Sequence, residues 1–404
     1  MANHTNMRTV QDTNFKGKKV LIRVDFNVPL NHNRQVTDDT RIRESLLTIK
    51  KILNDGASVI LISHLGRPKG GFENDYSLTP IVPVLTKLLG RNIIFTRDLF
   101  GKKTIEVCQN LKPGDIVLLE NIRFYPEEEA GKDGEFAKQL ASLGDAYVND
   151  AFATSHRAHM SVSVLPKYFP KEKYFGLLLA NELVNLDKIL FEAQAPFTAI
   201  IGGAKVSNKI GIIKNLISKV DNMIIGGGMA FTFIKALGGK IGNSLIEEDW
   251  IIAAKEMVQE MMLKGVNLYL PTDVVVADNF SNEANFTTCS ADNIDDKWMG
   301  LDIGKKTCRR YAEIINNSNT ILWNGPMGVF ELPHFQQGTK AIAIAVAGAT
   351  ISGSFSLVGG GDSVAAINTY NLADQISYVS TGGGAMLEYI EGSELPGVKA
   401  IFDK

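Results

Sequence analysis

Short apolar runs recur along the whole chain, and each one ends on a polar, basic or glycine-rich stretch. Lys19–Phe26, Ser58–Ser63, Asp115–Leu119 and Asp145–Asn149 read as strands of a first series. A second series is predicted at Phe197–Ile201, Asn222–Ile225, Asn267–Leu270, Thr320–Trp323, Phe355–Val358 and Ile376–Val379. Amphipathic stretches lie between them. Arg41–Asn54 carries Ile42, Leu46, Ile49 and Leu53 on one stripe, with Gly56 past its end. Thr79 and Pro80 open another helix, and Asp249–Lys264 is a third, its Met257, Met261 and Met262 serving as core and surface filler. Tyr174–Leu190 is strongly apolar and helical, ends before Pro196 and reads as a connecting helix. This alternation of strand and helix predicts an α/β protein built on parallel sheets.

Period two distinguishes the end of the first strand. Arg23, Asp25 and Asn27 alternate with Val24, Phe26 and Val28, so the polar three share one face. A solvated sheet edge has the same pattern. The other strands of the first series lead into His64 and Arg67, into Asn121 and Arg123, and into His156, Arg157 and His159. Strand ends on one side of a parallel sheet form one crevice. Arg23, Arg41, Arg67, Arg123 and Arg157 with the three histidines would converge there as a site for phosphate and carboxylate groups.

The second series ends in glycine instead. Phe355–Val358 runs into Gly359, Gly360, Gly361, Asp362 and Ser363, then into residues able to open a helix. Backbone without Cβ can approach a phosphate closely, a helix N-terminus favours an anion, and a carboxylate there can hold the magnesium of a nucleotide. A tight turn capped by Asp362 is the structural alternative. Lys205 and Lys209 would share a face if a helix begins near Val206.

Bulk composition narrows the field. A chain of 404 residues, 45% hydrophobic and 21% charged, predicts a soluble protein of two domains. A net charge of −2 disfavours a broad nucleic-acid or membrane surface. Cys108, Cys289 and Cys308 are far apart without metal spacing, which suggests a reducing compartment. The first ten residues lack an apolar signal core. Lys340 and Asp362 bound a stretch with no charge; its Gly, Ser and Thr favour a buried helix and strand over a membrane span. No Walker A, dinucleotide or protein-kinase signature is present.

Eight collinear blocks carry a resemblance: RVDFNVP (23–29), SHLGRP (63–68), NDAF to HRAH (149–159), GGAKV (202–206), GGGMAFTF (226–233), WNGPMGVFE (323–331), GGGDS (359–363) and STGGGA (380–385). In order and over nearly the whole chain, they resemble the phosphoglycerate kinase family. The resemblance implies two Rossmann-like parallel-sheet domains joined by a connecting helix, with a cleft between them. It implies a 3-phosphoglycerate-binding domain over 1–175, a hinge over 176–195, a nucleotide-binding domain over 196–390, and a segment 391–404 returning to the first domain. The implied reaction moves a phosphoryl group between 1,3-bisphosphoglycerate and ADP, with Mg²⁺, in a cytoplasmic monomer serving glycolysis.

Residue by residue, Asp25, Asn27, His64, Arg67, Arg123 and Arg157 match triose-phosphate ligands. Arg23 and Arg41 match arginines at the reacting end, and Arg41 the one that stabilises the transferring group. Lys205 and Lys209 match phosphate-contacting lysines and Asp362 the magnesium ligand. Gly203, Gly226, Gly227, Gly228, Leu301, Asn324, Pro326, Glu331 and Gly359 to Ser363 match the nucleotide site. Gly360 and Gly383 join Arg41 and the two lysines as catalytic positions. Asn208 stands where the family usually has Asp, ATSH (153–156) where it usually has GTAH, and the connecting helix lacks an expected charged pair. A carboxylate acceptor is already ionised at neutral pH, so the chemistry needs charge neutralisation and positioning, not a general base. The histidines would then bind and orient. Two half-sites on separate domains would require closure to exclude water. A catalytically inactive nucleotide-binding homologue and a nucleic-acid binder are the competing readings.

Overall fold

The computed structural model describes residues 7–403, so most of the apolar-poor start of the chain lies outside the described residues. The chain forms two units that divide inside the helix Leu177–Phe191: residues 1–184 with 394–404, and residues 185–393.

In the first unit the strands are β1 (Lys19–Arg23), β2 (Ser58–Ile62), β3 (Ile93–Phe95), β4 (Ile116–Leu118), β5 (Ala146–Asn149) and β6 (Lys173–Phe175). They form one sheet in the order β3-β4-β2-β1-β5-β6, parallel at every pairing. Both faces are covered, which is why β2 (SVILI) is apolar without alternation and wholly buried. The helix Thr40–Asn54 contributes Ile42, Leu46, Ile49, Ile52 and Leu53 to the core. From β1 the chain first builds one half of the sheet through β2, and later crosses to the other side at β5. The carboxyl ends of β1 and β5 therefore flank the topological switch point. The last segment of the chain packs on this unit: Asn149 Nδ2 donates to Gly397 O at 3.1 Å, and Lys173 Nζ to Ala400 O at 2.8 Å.

The second unit contains β7 (Phe197–Ile201), β8 (Asn222–Ile225), β9 (Lys240–Ile241), β10 (Asn267–Tyr269), β11 (Asp273–Ala277), β12 (Phe286–Ser290), β13 (Asn293–Ile294), β14 (Met299–Ile303), β15 (Thr320–Asn324), β16 (Phe355–Gly359) and β17 (Tyr378–Ser380). The main sheet is again parallel, in the order β10-β8-β7-β15-β16-β17. Its switch point lies between β7 and β15. A three-stranded antiparallel sheet, β12-β11-β14, is added to it.

Several predicted limits change. The first strand stops at Arg23, although Val24–Phe26 remain buried. The apolar run at 174–190 holds two elements: β6 ends at Phe175, Gly176 breaks it, and the helix begins at Leu177. Asp150 explains the break, because its Oδ1 accepts the amides of Leu178 at 2.9 Å and Leu179 at 3.4 Å. Pro80, not Thr79, occupies the cap of the helix Ile81–Leu89, with no side-chain cap bond. The uncharged stretch after Lys340 is the helix Gln337–Ile351, buried along Ile342, Ala343, Ala345, Val346, Ala347 and Ala349. Among the described residues no helix is long and apolar enough to cross a membrane.

Candidate functional site

At the switch point of the first sheet, Arg23 is the last residue of β1 and is fully buried. Its Nε donates to Ser161 Oγ at 2.8 Å, its Nη1 to Val24 O, and its Nη2 lies 3.3 Å from His64 Nδ1. Glu128, also fully buried, stands 3.8 Å from the same guanidinium and accepts from Ser161 N and Oγ. Arg23 is thus a fixed charge beneath the surface, with all three nitrogens facing protein groups.

Asp25 takes the next outward position. Its Oδ2 accepts from Arg41 Nη1 at 2.9 Å, and its Oδ1 accepts Asn27 N at 3.0 Å. Arg41 Nη1 also donates to Asn27 O at 3.2 Å, while Asn27 Oδ1 accepts Gly66 N at 2.9 Å. Arg123 Nη1 holds Gly66 O at 2.7 Å, which fixes the His64–Arg67 loop from the other side. Arg157 Nε reaches His156 Nε2 at 3.3 Å, and Arg67 is exposed at the loop tip.

These groups feel one another. Burial first, then Arg23, Arg123 and Arg41, drives the His64 pKa well below the ordinary value. Burial with Arg123, Arg23 and Arg157 holds His159 at about 4, despite Glu128 at 3.9 Å. Burial also lowers Arg123 to about 10, which leaves it charged. At pH 7, therefore, His64 and His159 are neutral while Arg123 keeps its charge. Arg123 Nε is buried without a hydrogen-bond partner. Such an arrangement suits a polyanion and gives no residue poised to shuttle a proton.

In the second unit the switch point is lined with backbone. β7 leads into Gly202 and Gly203, β8 into Gly226 to Gly228, β15 into Gly325 and Pro326, and β16 into Gly360 and Gly361. At Gly227 the chains cross so closely that a Cβ would stand 2.6 Å from Gly203 O and 2.8 Å from Pro326 O. Gly360, with φ +93°, would drive a Cβ to 2.4 Å from Asn324 Nδ2. Asn324 Nδ2 donates to Gly359 O at 2.6 Å, and Gly325 N to Ser363 Oγ at 2.6 Å, tying β15 to β16.

A cavity of about 620 Å³ opens on this crossing. Gly203, Gly227, Gly228, Leu301, Pro326, Glu331 and Asp362 line it. So do apolar residues that the sequence reading left out, including Phe231, Phe280, Met299 and Val329. Volume and lining suit a small organic ligand with a planar apolar part. Asp362 is exposed in the first turn of the helix Gly361–Thr369, which Gly360 caps without a side-chain bond. It is therefore not the turn cap that the sequence also allowed.

Lys205 and Lys209 do not form a helical pair. Lys209 is the cap residue before the helix Ile210–Leu216, and Lys205 lies exposed in the preceding loop. A turn closed by Lys209 N on Val206 O at 2.8 Å replaces the first helical turn. Lys209 Nζ donates to Asn324 Oδ1, burial lowers its pKa, and Asp362 and Glu391 oppose that shift. Gly383 caps the helix Gly384–Glu391. Lys205, Lys209, Asn324 and Gly383 stand outside the cavity lining.

Among the described residues no cluster of three or more His, Cys, Asp or Glu could hold a metal ion. A lone exposed carboxylate at a helix N-terminus still fits magnesium, which keeps waters and phosphate oxygens as most of its shell.

Known proteins resemble this chain over nearly its whole length. The family profile described as Phosphoglycerate kinase matches residues 10–393. Phosphoglycerate kinase of Porphyromonas gingivalis is 49% identical over 416 aligned positions, covering 97% of this chain and 99% of that protein. The structure of phosphoglycerate kinase from Coxiella burnetii superposes with a TM-score of 0.89 at 42% identity, covering 98% of this chain and 99% of that one. The crystal structure of the Pyrococcus horikoshii enzyme gives 0.83 at 31% identity, covering 98% of each. The chain belongs to the phosphoglycerate kinase family.

Proposed function

We propose that the arginine cluster of the first unit binds the triose phosphate and that the glycine-lined cavity of the second binds the nucleotide. The reaction is that of the family: reversible transfer of a phosphoryl group from 1,3-bisphosphoglycerate to ADP, giving 3-phosphoglycerate and ATP in glycolysis. The observation that carries the assignment is Asp362, in the first helical turn after three glycines and on the wall of the cavity.

The residues divide the work by chemistry. Arg67, Arg123 and Arg157 supply forked donors for phosphate, and His64, Asp25 and Asn27 orient the rest of the triose. Arg23 adds buried positive charge from below. Arg41 has two Nη1 bonds to protein, and its remaining donors serve the group in transit. Lys205, Lys209 and the glycine backbone at Gly203, Gly360 and Gly383 neutralise the nucleotide phosphates. Asn324, Glu331, Leu301, Pro326 and Gly226 to Gly228 hold the nucleoside. Asp362 would hold Mg²⁺, which would supply neutralising charge to the nucleotide phosphates. No base is required, since the 3-phosphoglycerate carboxylate is ionised at neutral pH. We place the protein in the cytoplasm as a monomer that takes small molecules and no nucleic acid.

A coupled assay of ATP consumption tests the reading. Consumption should depend on both 3-phosphoglycerate and magnesium. Magnesium- and ATP-saturated protein that consumes no ATP on addition of 3-phosphoglycerate would overturn it.

A further inference from the structure

The helix Gln337–Ile351 has no acidic residue in its first turn, and its cap residue Gln336 makes no side-chain cap bond. The charge that its N-terminus calls for comes from another element. Asp302, on β14, is buried, and its Oδ2 accepts Gly338 N at 2.7 Å while its Oδ1 accepts its neighbour Ile303 N at 2.9 Å. The backbone N–H of Gln337 also favours the charged carboxylate. There is no slack around it. A Cβ at either Gly328 or Gly338 would stand 2.1 Å from Asp302 Oδ1.

The same helical turn holds the cavity wall. Thr339 is fully buried, and its Oγ1 accepts Met327 N at 3.1 Å and Gly328 N at 3.3 Å. Val329 N then donates to Leu301 O, next to Asp302, at 2.8 Å. Met327, Gly328 and Val329 line the cavity, as do Leu301, Asp302 and Ile303. We propose that Asp302 is a positioning residue for the nucleotide: its carboxylate anchors the first turn of the helix, and through Thr339 that turn sets the 326–329 wall. This rests on the nucleotide reading of the cavity. Asp302 itself takes no part in the transfer.

Conversion of the carboxylate to an amide turns one acceptor oxygen into a donor facing backbone N–H groups. Burial without a partner then loosens the turn. The acid is held at about 7 by burial, against the backbone bonds that favour its charge. Cys308 and Tyr370 are the titratable groups that sense it, and both are neutral at that pH because burial raises them.

Titration calorimetry with Mg-ADP on wild type, Asp302→Asn and Thr339→Val, with steady-state kinetics in 3-phosphoglycerate, tests the proposal. Asp302→Asn should bind Mg-ADP about tenfold more weakly, the scale of a hydrogen bond to a charged group, and Thr339→Val about fivefold, the scale of a neutral one. KM for 3-phosphoglycerate should stay within about twofold. Unchanged Mg-ADP affinity in either folded variant overturns the proposal, and so does equal weakening toward both substrates. If Asp302→Asn does not fold, Thr339→Val decides alone, because it removes only the link from turn to wall. A wild type that does not bind Mg-ADP instead rejects the nucleotide reading beneath it.

Discussion

In the first unit, positive charge sits on side chains and is held in place by buried acids: Arg23 by Glu128, Arg41 by Asp25. In the second, the switch point is walled by backbone, crossing at Gly203, Gly227 and Pro326, with lysines outside the cavity lining. Both sheets are parallel and both sites lie at strand carboxyl ends, yet one recruits guanidinium forks and the other peptide groups. The difference follows from the ligands assigned. A small triose phosphate with anionic ends needs directional charge from several sides. A nucleotide needs an apolar slot for its base and close backbone approach for its phosphates. Substitutions should therefore damage the two substrates separately, except where a residue acts on the group that passes from one to the other.

On the proposed roles, Arg41 is that exception and should show the largest effect. Arg41→Ala should lower kcat by on the order of 10³ or more, the arginine-finger scale, with little change in ground-state binding. Arg41→Lys should restore little, because an ammonium lacks the fork. A held kcat with a raised KM for 3-phosphoglycerate would make Arg41 a binding residue. Asp362→Ala comes next: Mg-nucleotide affinity and turnover should fall by roughly a hundredfold, the scale of a lost charged contact in a closed site, with the melting temperature nearly unchanged. Calorimetry giving near-normal Mg-ADP affinity would remove the metal assignment. Arg157→Ala should raise KM for 3-phosphoglycerate by about ten- to thirtyfold, a charge-assisted bond or two. ADP affinity should stay put, and equal weakening of both would contradict the division.

The smallest effect concerns stability. His159 is held at about 4 when folded, below the usual 6.5 of the unfolded chain. Between those values the unfolded state binds more protons, so the stability associated with His159 is complete above 6.5 and is lost as pH falls toward 4. The stability advantage of wild type over His159→Asn, read from denaturant midpoints, should shrink by about 1.4 kcal/mol per pH unit at most across that window. A constant difference would mean that the imidazole is not held neutral.

Much of this contrast was legible in the sequence. Val24, Phe26 and Val28 alternating with Arg23, Asp25 and Asn27 marked a strand end that turns polar. The glycine triplets after Phe355–Val358 and Asn222–Ile225 marked the other site. What escaped depended on tertiary partners. Glu128 stands between Glu127 and Glu129 and reads as surface, yet it alone of the three is buried, against Arg23 and Ser161. Lys205 and Lys209 would share a face only with a helix beginning near Val206, but the loop after Gly203 delays helix formation to Ile210. In the antiparallel sheet, β11 and β14 carry part of the apolar wall. None of these strands was predicted: β11 is a short apolar run, and β12 is mostly exposed and without apolar alternation. Asp302 belongs to the same class, since nothing near it in sequence reveals the helix it caps.

The central claim is that the two substrates bind to separate groups of residues, one per unit. Backbone amide chemical-shift mapping on labelled protein tests it most directly. Addition of 3-phosphoglycerate alone should move the amides of Arg23 to Asn27, His64 to Arg67, Arg123 and Arg157. Addition of Mg-ADP alone should move those of Gly203, Gly227, Gly228, Leu301, Gly360 and Asp362. Mg-ADP shifting the arginine set directly, with the glycine set unmoved, would contradict the account.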